Sequence, residues 1–151
     1  MNKVWIWIKN IIIPLVVGGV VALIMSPFMD YNELIRPPLA PPSIVFPIAW
    51  TILYILMGVS YSILQTNDLL DKDSVAIYYL QLFVNALWSI IFFVLKLRLI
   101  AAIWIILLLI LVIMMMVFFY KKSKLASLLQ LPYLLWVAFA TYLNIAIYLL
   151  N

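Results

Sequence analysis

The stretch LIAAIWIILLLILVIMMMVFFY runs from Leu99 to Tyr120 without a charged residue, and Tyr120 carries its only polar side chain. A helix crosses the hydrocarbon core of a bilayer with about 20 predominantly apolar residues, and this stretch is long enough to do so. Its backbone must then satisfy its own hydrogen bonds, which a helix does. The sequence therefore predicts a transmembrane helix here. We interpret it as a lipid-facing wall whose one notable aromatic residue is Trp104.

Four further apolar stretches have a similar length, and the links between them are short. Short links between helices of similar length favour antiparallel neighbours in a compact bundle. We therefore predict an all-α integral membrane protein in which residues 1–151 form a single domain of five transmembrane helices. The first stretch is too long for a cleaved signal peptide and is expected to be retained. The predicted spans are approximately residues 4–28, 42–64, 74–95, 99–120 and 125–150, with a proline-rich lid loop at residues 29–41.

The overall composition points to the same class of protein. Hydrophobic residues make up 70% of the chain and charged residues 9%, whereas soluble domains are about half apolar and about a quarter charged. The chain has neither cysteine nor histidine, which excludes disulfides, Ser-His-Asp hydrolysis, His-ligated haem and the usual zinc sites. We therefore predict no metal site and no resident cofactor.

The nine basic residues lie mostly at the ends of apolar runs, where they anchor helices at lipid headgroups. The net charge of +4 is therefore not a nucleic-acid signal, and no nucleic-acid partner is expected. Basic residues also favour the cytoplasmic side of a membrane. Because six of them fall on the N-terminal side and three opposite, we predict a cytoplasmic N-terminus and an external lid loop. The first group is Lys3, Lys9, Lys72, Lys121, Lys122 and Lys124, and the second is Arg36, Lys96 and Arg98.

Polar residues within the third span share one helical face. Gln81, Asn85, Trp88 and Phe92 follow one another at helical spacing. Amide side chains in the middle of a membrane need partners, so this face is expected to point inward. Two interpretations stay open: the amides bond to neighbouring helices and hold the bundle together, or they line a ligand site.

The second and fifth spans carry comparable stripes. Phe46, Trp50 and Tyr54 follow one another at intervals of four residues before Gly58, and Trp50 lies about two turns inside the helix. In the fifth span one broad stripe is formed by Tyr133, Trp136, Ala140, Leu143 and Asn144. In the first span Gly18, Gly19 and Ala22 permit close helix contact, either within the bundle or in a dimer.

No predicted span has an ionisable Asp, Glu, Lys or Arg away from its ends. Ion-coupled transporters normally keep such a group in the membrane, so coupled transport is disfavoured. The same absence leaves no acid, base or strong nucleophile for catalysis. Any chemistry would be oxidative, with tryptophan as the electron or radical partner, and Trp50 and Trp136 are the candidates.

Three ordered motifs resemble the translocator protein family, also called tryptophan-rich sensory proteins or peripheral benzodiazepine receptors. The first runs through Tyr31, Leu34, Arg36-Pro37, Pro41-Pro42, Phe46, Trp50, Leu53-Tyr54 and Gly58. The second is QLFVNALWSIIFF, from Gln81 to Phe93, and the third is LPYLLWVAFATYLN, from Leu131 to Asn144. The chain departs from the family pattern at Asp30, Leu39 and Ile44, where many members carry tryptophan.

The resemblance implies a five-helix bundle of the bacterial type, commonly a homodimer, with a pocket that opens toward the first loop. Members bind tetrapyrroles such as protoporphyrin IX and benzodiazepine- or isoquinoline-type ligands, and some promote light- and oxygen-dependent porphyrin breakdown. Animal members also bind cholesterol, but the motif for it is missing after Asn144. By position, the pocket would be lined by Tyr31, Trp50, Tyr54, Asn85, Trp88, Trp136, Ala140 and Leu143.

Arg36 either receives a porphyrin carboxylate through charge-assisted bonds or anchors the loop at lipid headgroups. The prolines beside it stiffen the lid loop, and Pro42 is expected to start the second helix. We therefore predict a membrane receptor or sensor of tetrapyrroles in a bacterial cell membrane, with photooxidation as its only conceivable chemistry. The alternatives are an uncoupled carrier of porphyrins or lipids and a scaffold that binds a protein partner.

Overall fold

A computed structural model describes residues 2–151. Within that range five segments are long and apolar enough to cross a membrane, and no β-strand occurs. The prediction of an all-α bundle of five transmembrane helices is confirmed. The helices are α1 (Lys3–Met25), α2 (Val45–Thr66), α3 (Lys72–Ser89), α4 (Arg98–Tyr120), α5 (Lys124–Leu128) and α6 (Leu131–Leu150).

The third and fifth spans are composite. A π-helical segment, Ile90–Val94, extends α3, while α5 and α6 together make the fifth span. In the bundle α1 packs on α2 and α3, α4 lies between α3 and α6, and α2 contacts α5. Because neighbouring spans alternate in direction, the lid loop, the 95–98 turn and the C-terminus share one side, here called the lid side. The opposite end, with residues 67–71 and 121–123, is called the far side.

The first two helices are in direct backbone contact at Gly58. A methyl group at this position would overlap the backbone of Asn10 and Ile11, so only glycine permits the crossing. Just below it, the buried Asn10 side chain donates from Nδ2 to Ser62 Oγ at 3.2 Å and to Gln65 Oε1 at 2.9 Å. These contacts fix α1 against α2 in the far-side half of the bundle.

The second helix begins later than we predicted. Val45 is its first residue, and Pro42 instead accepts a hydrogen bond from the Val45 amide at 3.0 Å in the turn before it. The physical reason is Pro47, which has no N–H to donate and clashes with a preceding helical turn. A start at Val45 puts Pro47 in the first turn, where no intrahelical N–H bond is needed.

The fourth span is lipid-facing on one side only. Its other side is buried in the core, so our interpretation of the whole span as a wall is wrong. Trp104 also turns inward, and its indole Nε1 donates to the Val84 carbonyl at 2.8 Å. Both faces are apolar, which is why the sequence pattern could not separate them. The buried residues of this side are Ala101, Ala102, Ile105, Leu108, Leu111, Val112, Met115 and Phe119.

The fifth span breaks after five residues. Ser123 caps α5 by accepting the Ala126 amide at Oγ, at 3.2 Å, and α6 restarts after Gln130 with Pro132 in its first turn. Ser60 and Ser127 donate from their hydroxyls to the carbonyls of Ala126 and Met116, at 2.6 and 2.7 Å. Ser60 of α2 thus satisfies a carbonyl of the short helix, and Ser127 of the short helix bonds it to α4.

Candidate functional site

An apolar cavity of ≈ 530 Å³ lies between the lid-side halves of α1, α2 and α3, beneath the lid loop. Its volume falls within the range of about 300–1,000 Å³ that small-molecule pockets occupy. Gly19, Ala22, Pro47 and Thr51 belong to its wall and are exposed, so the cavity opens sideways between α1 and α2. Its aromatic lining consists of Phe46, Trp50, Tyr54, Trp88 and Phe93.

Two glycines of α1 shape this cavity in different ways. A methyl group at Gly18 would overlap the Tyr54 ring, so Gly18 allows that ring to lie flat against α1. At Gly19 an added methyl group would meet no other described atom within 4 Å. Gly18 therefore makes room for the Tyr54 ring, and Gly19 leaves the space beside it open. Sequence reasoning assigned both glycines to packing and did not find the α1 wall.

Aromatic rings form the inner wall of the cavity. Trp50 stacks on Tyr54 with ring centroids 5.5 Å apart, and it meets Tyr133 and Trp136 edge-on at 6.3 Å each. Trp136 also contacts Phe46, at 5.8 Å. Trp136 does not line the cavity and lies behind Trp50 and Phe46. Of the two candidate redox tryptophans, Trp50 faces the cavity, and Trp136 packs against Trp50 from behind.

A chain of hydrogen bonds runs beneath these rings. The Tyr54 hydroxyl donates to Asn85 Oδ1 at 2.9 Å, and Asn85 Nδ2 donates to the Tyr133 hydroxyl at 2.7 Å. Tyr133 in turn donates to Gln81 Oε1 at 2.7 Å. Asn85 is buried and is not part of the cavity lining. The structure therefore favours the packing interpretation of the two amides, which join α2, α3 and α6.

The indole of Trp88 links the cavity to the lid side through a second chain. Its Nε1 donates to Asn144 Oδ1 at 2.9 Å, and Asn144 Nδ2 donates to the Arg98 carbonyl at 2.9 Å. The Arg98 guanidinium then pairs with both carboxylate oxygens of Asp30, at 2.7 and 2.8 Å. Lys96 adds a longer contact of 3.7 Å to Asp30. The cavity wall and the start of the lid loop are thus joined by polar contacts.

Most of the remaining predicted site residues line a second and much smaller void, of ≈ 20 Å³. Tyr31, Ala140 and Leu143 line it, and Phe46 and Trp88 separate it from the large cavity. The predicted set is therefore divided: Trp50, Tyr54 and Trp88 face the large cavity, whereas Tyr31, Ala140 and Leu143 face the small void.

Arg36 does not line the large cavity and lies in an open groove on the lid loop. Its guanidinium carbon is 4.9 Å from the centre of the Tyr31 ring, in a cation–π contact. Ser43 borders both this groove and the cavity, so the two spaces adjoin at that residue. The arrangement leaves both predicted roles of Arg36 open.

Several hydrogen bonds hold the lid loop over the bundle. Asn151 accepts the Ile35 amide at Oδ1 and donates from Nδ2 to the Ile35 carbonyl, at 3.1 and 2.8 Å. The Tyr142 hydroxyl donates to the Pro38 carbonyl at 2.7 Å. Tyr31 donates to the Pro41 carbonyl within the loop at 2.6 Å. Sequence reasoning gave no part to these C-terminal residues, because polar residues at the end of a span are also typical of plain interfacial anchors.

Across residues 2–151, no three His, Cys, Asp or Glu side chains come close enough together to hold a metal ion. The polar side chains at the cavity wall are neutral: the hydroxyls of Ser26, Ser43, Thr51 and Ser89, the Tyr54 hydroxyl, which donates to Asn85, and the indole N–H groups of Trp50 and Trp88. The cavity can therefore stack and enclose a flat apolar ligand and offer it a few neutral hydrogen bonds.

Comparison with known proteins places the chain in a sequence family. The pattern of the TspO/MBR family matches residues 10–150. The chain is 46% identical to the "Tryptophan-rich protein TspO" of Archaeoglobus fulgidus over 122 residues, which cover 80% of this chain and 79% of that protein. It is 31% identical to the "Tryptophan-rich sensory protein" of Cereibacter sphaeroides over 152 residues, covering 100% and 95% of the two chains. The "Translocator protein homolog" of Schizosaccharomyces pombe is 29% identical over 150 residues, covering 96% and 92%.

Proposed function

The chain belongs to the TspO/MBR family and is a multi-pass integral membrane protein, and from this premise we propose that it is a receptor for tetrapyrroles of the protoporphyrin IX type. Benzodiazepine- and isoquinoline-type compounds are proposed ligands of the same cavity. The names of its relatives, which include a sensory protein and a translocator protein homolog, support a sensing or translocating role in a membrane.

The observation that carries this proposal is the apolar cavity walled by Trp50, Tyr54 and Trp88. A porphyrin is a flat, apolar macrocycle with two carboxylates on one edge. Each stacked aromatic pair contributes about 0.5–1.5 kcal/mol beyond the burial of its surface. We expect the macrocycle to lie in the cavity and its carboxylates to reach past Ser43 toward the Arg36 groove, which adjoins the cavity there.

A titration of the purified protein with protoporphyrin IX in detergent tests the proposal. We expect saturable quenching of tryptophan fluorescence, and an absorbance shift of the porphyrin as the second signal. Trp50→Ala should weaken binding up to about tenfold, because one stacking partner is lost. Trp5→Ala is the matched control, since Trp5 is exposed near the N-terminus and far from the cavity. Unsaturable quenching by the parent protein would contradict the proposal.

Any chemistry on a bound porphyrin is proposed to be photooxidative, with dioxygen as the oxidant and Trp50 as the electron or radical partner at the cavity wall. Trp136 contacts Trp50 edge-on at 6.3 Å and would share that role. Under illumination in air, the double variant Trp50→Phe and Trp136→Phe should bleach bound protoporphyrin IX more slowly than the parent. Equal bleaching rates at equal occupancy would rule out the tryptophan mechanism.

A second candidate function is uncoupled carriage of porphyrins or lipids across the membrane. The translocator name of the fission yeast relative favours it, as does a cavity that opens between α1 and α2. Flux of protoporphyrin IX into sealed proteoliposomes separates the two functions. A carrier gives time-dependent accumulation inside the vesicles, whereas a receptor gives binding that stops at the number of protein molecules.

Assembly and membrane orientation are also proposals. We propose a homodimer, which the family resemblance implies, in a bacterial cell membrane, and the distribution of Lys and Arg favours a cytoplasmic N-terminus. Sedimentation in detergent matched to the solvent density would give the number of chains per particle. Because the chain has no cysteine, a cysteine introduced at exposed Leu39 in the lid loop would react with an impermeant thiol reagent added outside intact cells only if that loop is external.

A further inference from the structure

Besides Asn10 Oδ1 at the α1–α2 crossing, three buried side chains of α3 and the start of α6 carry polar atoms without partners. Ser74 Oγ, the Tyr78 hydroxyl and both polar atoms of the Gln130 amide find no hydrogen-bond partner within residues 2–151. Their residues are 1%, 1% and 0% exposed, respectively. Buried polar groups in proteins are nearly always paired, either with protein or with ordered water. Four unpaired atoms in one part of the bundle therefore call for a partner.

Tyr78 and Gln130 lie at one level of the bundle, and Ser74 lies next to that level on its far-side flank. Both α3 and α6 run from the far side to the lid side, and Tyr133 fixes their register by bonding to Gln81 and Asn85. Tyr78 precedes Gln81 by three residues and Gln130 precedes Tyr133 by three, so each lies about one turn nearer the far side. Ser74 lies one further turn down, on the same face of α3 as Tyr78.

The Ser74 end of this group lies close to water. Asp71, which caps α3 by accepting the Ser74 amide at 2.8 Å, is exposed at the far-side surface. Ser74 therefore stands at the junction between the aqueous surface and the interior. A water molecule both donates and accepts hydrogen bonds, and it can serve a hydroxyl, an amide oxygen and an amide nitrogen together.

We propose that Ser74, Tyr78 and Gln130 bind water in a hydrated inlet that enters the bundle from the far side and ends beneath the Gln81–Tyr133 hydrogen bond. This inlet is distinct from the apolar cavity on the lid side, and the proposal does not depend on the ligand of that cavity. The two compartments are separated by the hydrogen-bonded chain of Tyr54, Asn85, Tyr133 and Gln81.

Two variants that keep side-chain volume but remove polar atoms test the inlet. Tyr78→Phe and Gln130→Met each remove a partner of the bound water, so each should lower the apparent Tm in detergent by about 2–4 °C. Because both side chains hold the same water, the double variant should lose less than the sum of the two single losses. Tyr148→Phe is the control, since Tyr148 is exposed, and its Tm should not change.

A rise in Tm for either variant would overturn the proposal, because removing a polar atom that is buried without a partner stabilises a protein. A second measurement uses the parent protein and needs no variant. Cross-relaxation between water and the Gln130 side-chain amide protons should be visible by NMR. The Trp88 indole N–H, which bonds to Asn144, should show none. Absence of the Gln130 signal would equally contradict a water-filled inlet.

Discussion

The two halves of the α1–α2 pair differ sharply although the same two helices form both. On the far side the backbones nearly touch at Gly58, and Asn10 bonds across to Ser62 and Gln65. On the lid side the helices diverge and leave the cavity of ≈ 530 Å³ between Gly19 and Trp50. A pocket in a membrane bundle thus needs a second region that holds the helices together while the first stays open.

Aromatic and polar side chains also occupy different places: the aromatic rings lie in the open lid-side half, and the polar side chains lie at its lower boundary. Trp50 and its neighbouring rings occupy the open half, where apolar faces can receive a ligand. The chain of Tyr54, Asn85, Tyr133 and Gln81 closes the bottom of that half, and its amides are already used by protein partners. Ligand contact and helix cohesion are therefore assigned to different side chains, and variants can separate the two roles.

The largest effect is expected at the tight crossing. Gly58→Ala places a methyl group against the α1 backbone, which cannot move aside as a side chain can. Overpacking costs about 1–3 kcal/mol, and more where backbone must shift. We expect the upper end of that range or beyond, measured by thermal unfolding in detergent.

Gly19→Ala is the matched control for that variant, because the added methyl group meets no described atom within 4 Å. Alanine is also the better helix former, by about 1 kcal/mol. The control should leave the Tm unchanged or raise it. If both variants lost the same stability, the contrast between the two halves would not hold.

The next largest effect concerns the boundary between the halves. Tyr133→Phe removes the hydroxyl that accepts from Asn85 and donates to Gln81, and it leaves two buried amide atoms unpaired. Each unpaired group costs about 1–3 kcal/mol, although hydrogen bonds within membranes often contribute less, about 0.6 kcal/mol on average. We expect a loss of about 1–4 kcal/mol in chemical unfolding. Tyr120→Phe, at an exposed tyrosine, should show no loss.

A smaller effect is expected at the lid. Asp30→Asn removes the carboxylate that pairs with Arg98. Both side chains are 14% exposed, so the loss should fall between that of exposed and buried ion pairs, about 1–3 kcal/mol. Hydrogen exchange of the Leu34 and Ile35 amides should become faster as the loop loosens.

Glu33→Gln is the comparison for the lid variant. Glu33 is exposed in the same loop, and it takes part in none of the ion pairs found within residues 2–151. Its exchange rates should match those of the parent. Equal acceleration in both variants would show that net charge, rather than the Asp30–Arg98 pair, controls the loop.

The smallest effect lies at the far-side surface. The amide of Ser74 and the ammonium of Lys122 stabilise the Asp71 carboxylate and lower its pKa to about 2 from 3.8. Because the folded-state pKa is depressed, the stabilisation is complete above about pH 4 and is lost as the pH falls through about 2. Tm of the parent should therefore decrease over this window.

Asp71→Asn keeps a capping oxygen but cannot titrate. Its Tm should depend less on pH between about 4 and 2 than that of the parent. The effect is small because the carboxylate is exposed. Identical pH profiles for the two proteins would assign the acid sensitivity to other carboxylates.

Part of the site was predictable from residue type and spacing alone. Trp50, Tyr54 and Trp88 stand on the inner faces of their helices at regular spacing, and the structure brings them to one cavity. Asn85 was predicted with them, yet its amide is fully occupied by Tyr54 and Tyr133. Helical periodicity predicts which residues lie on the same face of a helix. It does not predict which side chains of other helices will bond to them.

The five long apolar runs are enough to predict a helical bundle, because a backbone in lipid satisfies its hydrogen bonds in a helix or a closed barrel, and these runs lack the alternation of barrel strands. Where the bundle is open and where it is closed depends on how the helices pack in three dimensions. The division of the predicted site between two spaces, the pairing of Asp30 with Arg98 and the inward face of α4 all depend on contacts between residues far apart in the chain. In a helix such as α4, which is apolar on every face, helix packing rather than polarity selects the buried surface.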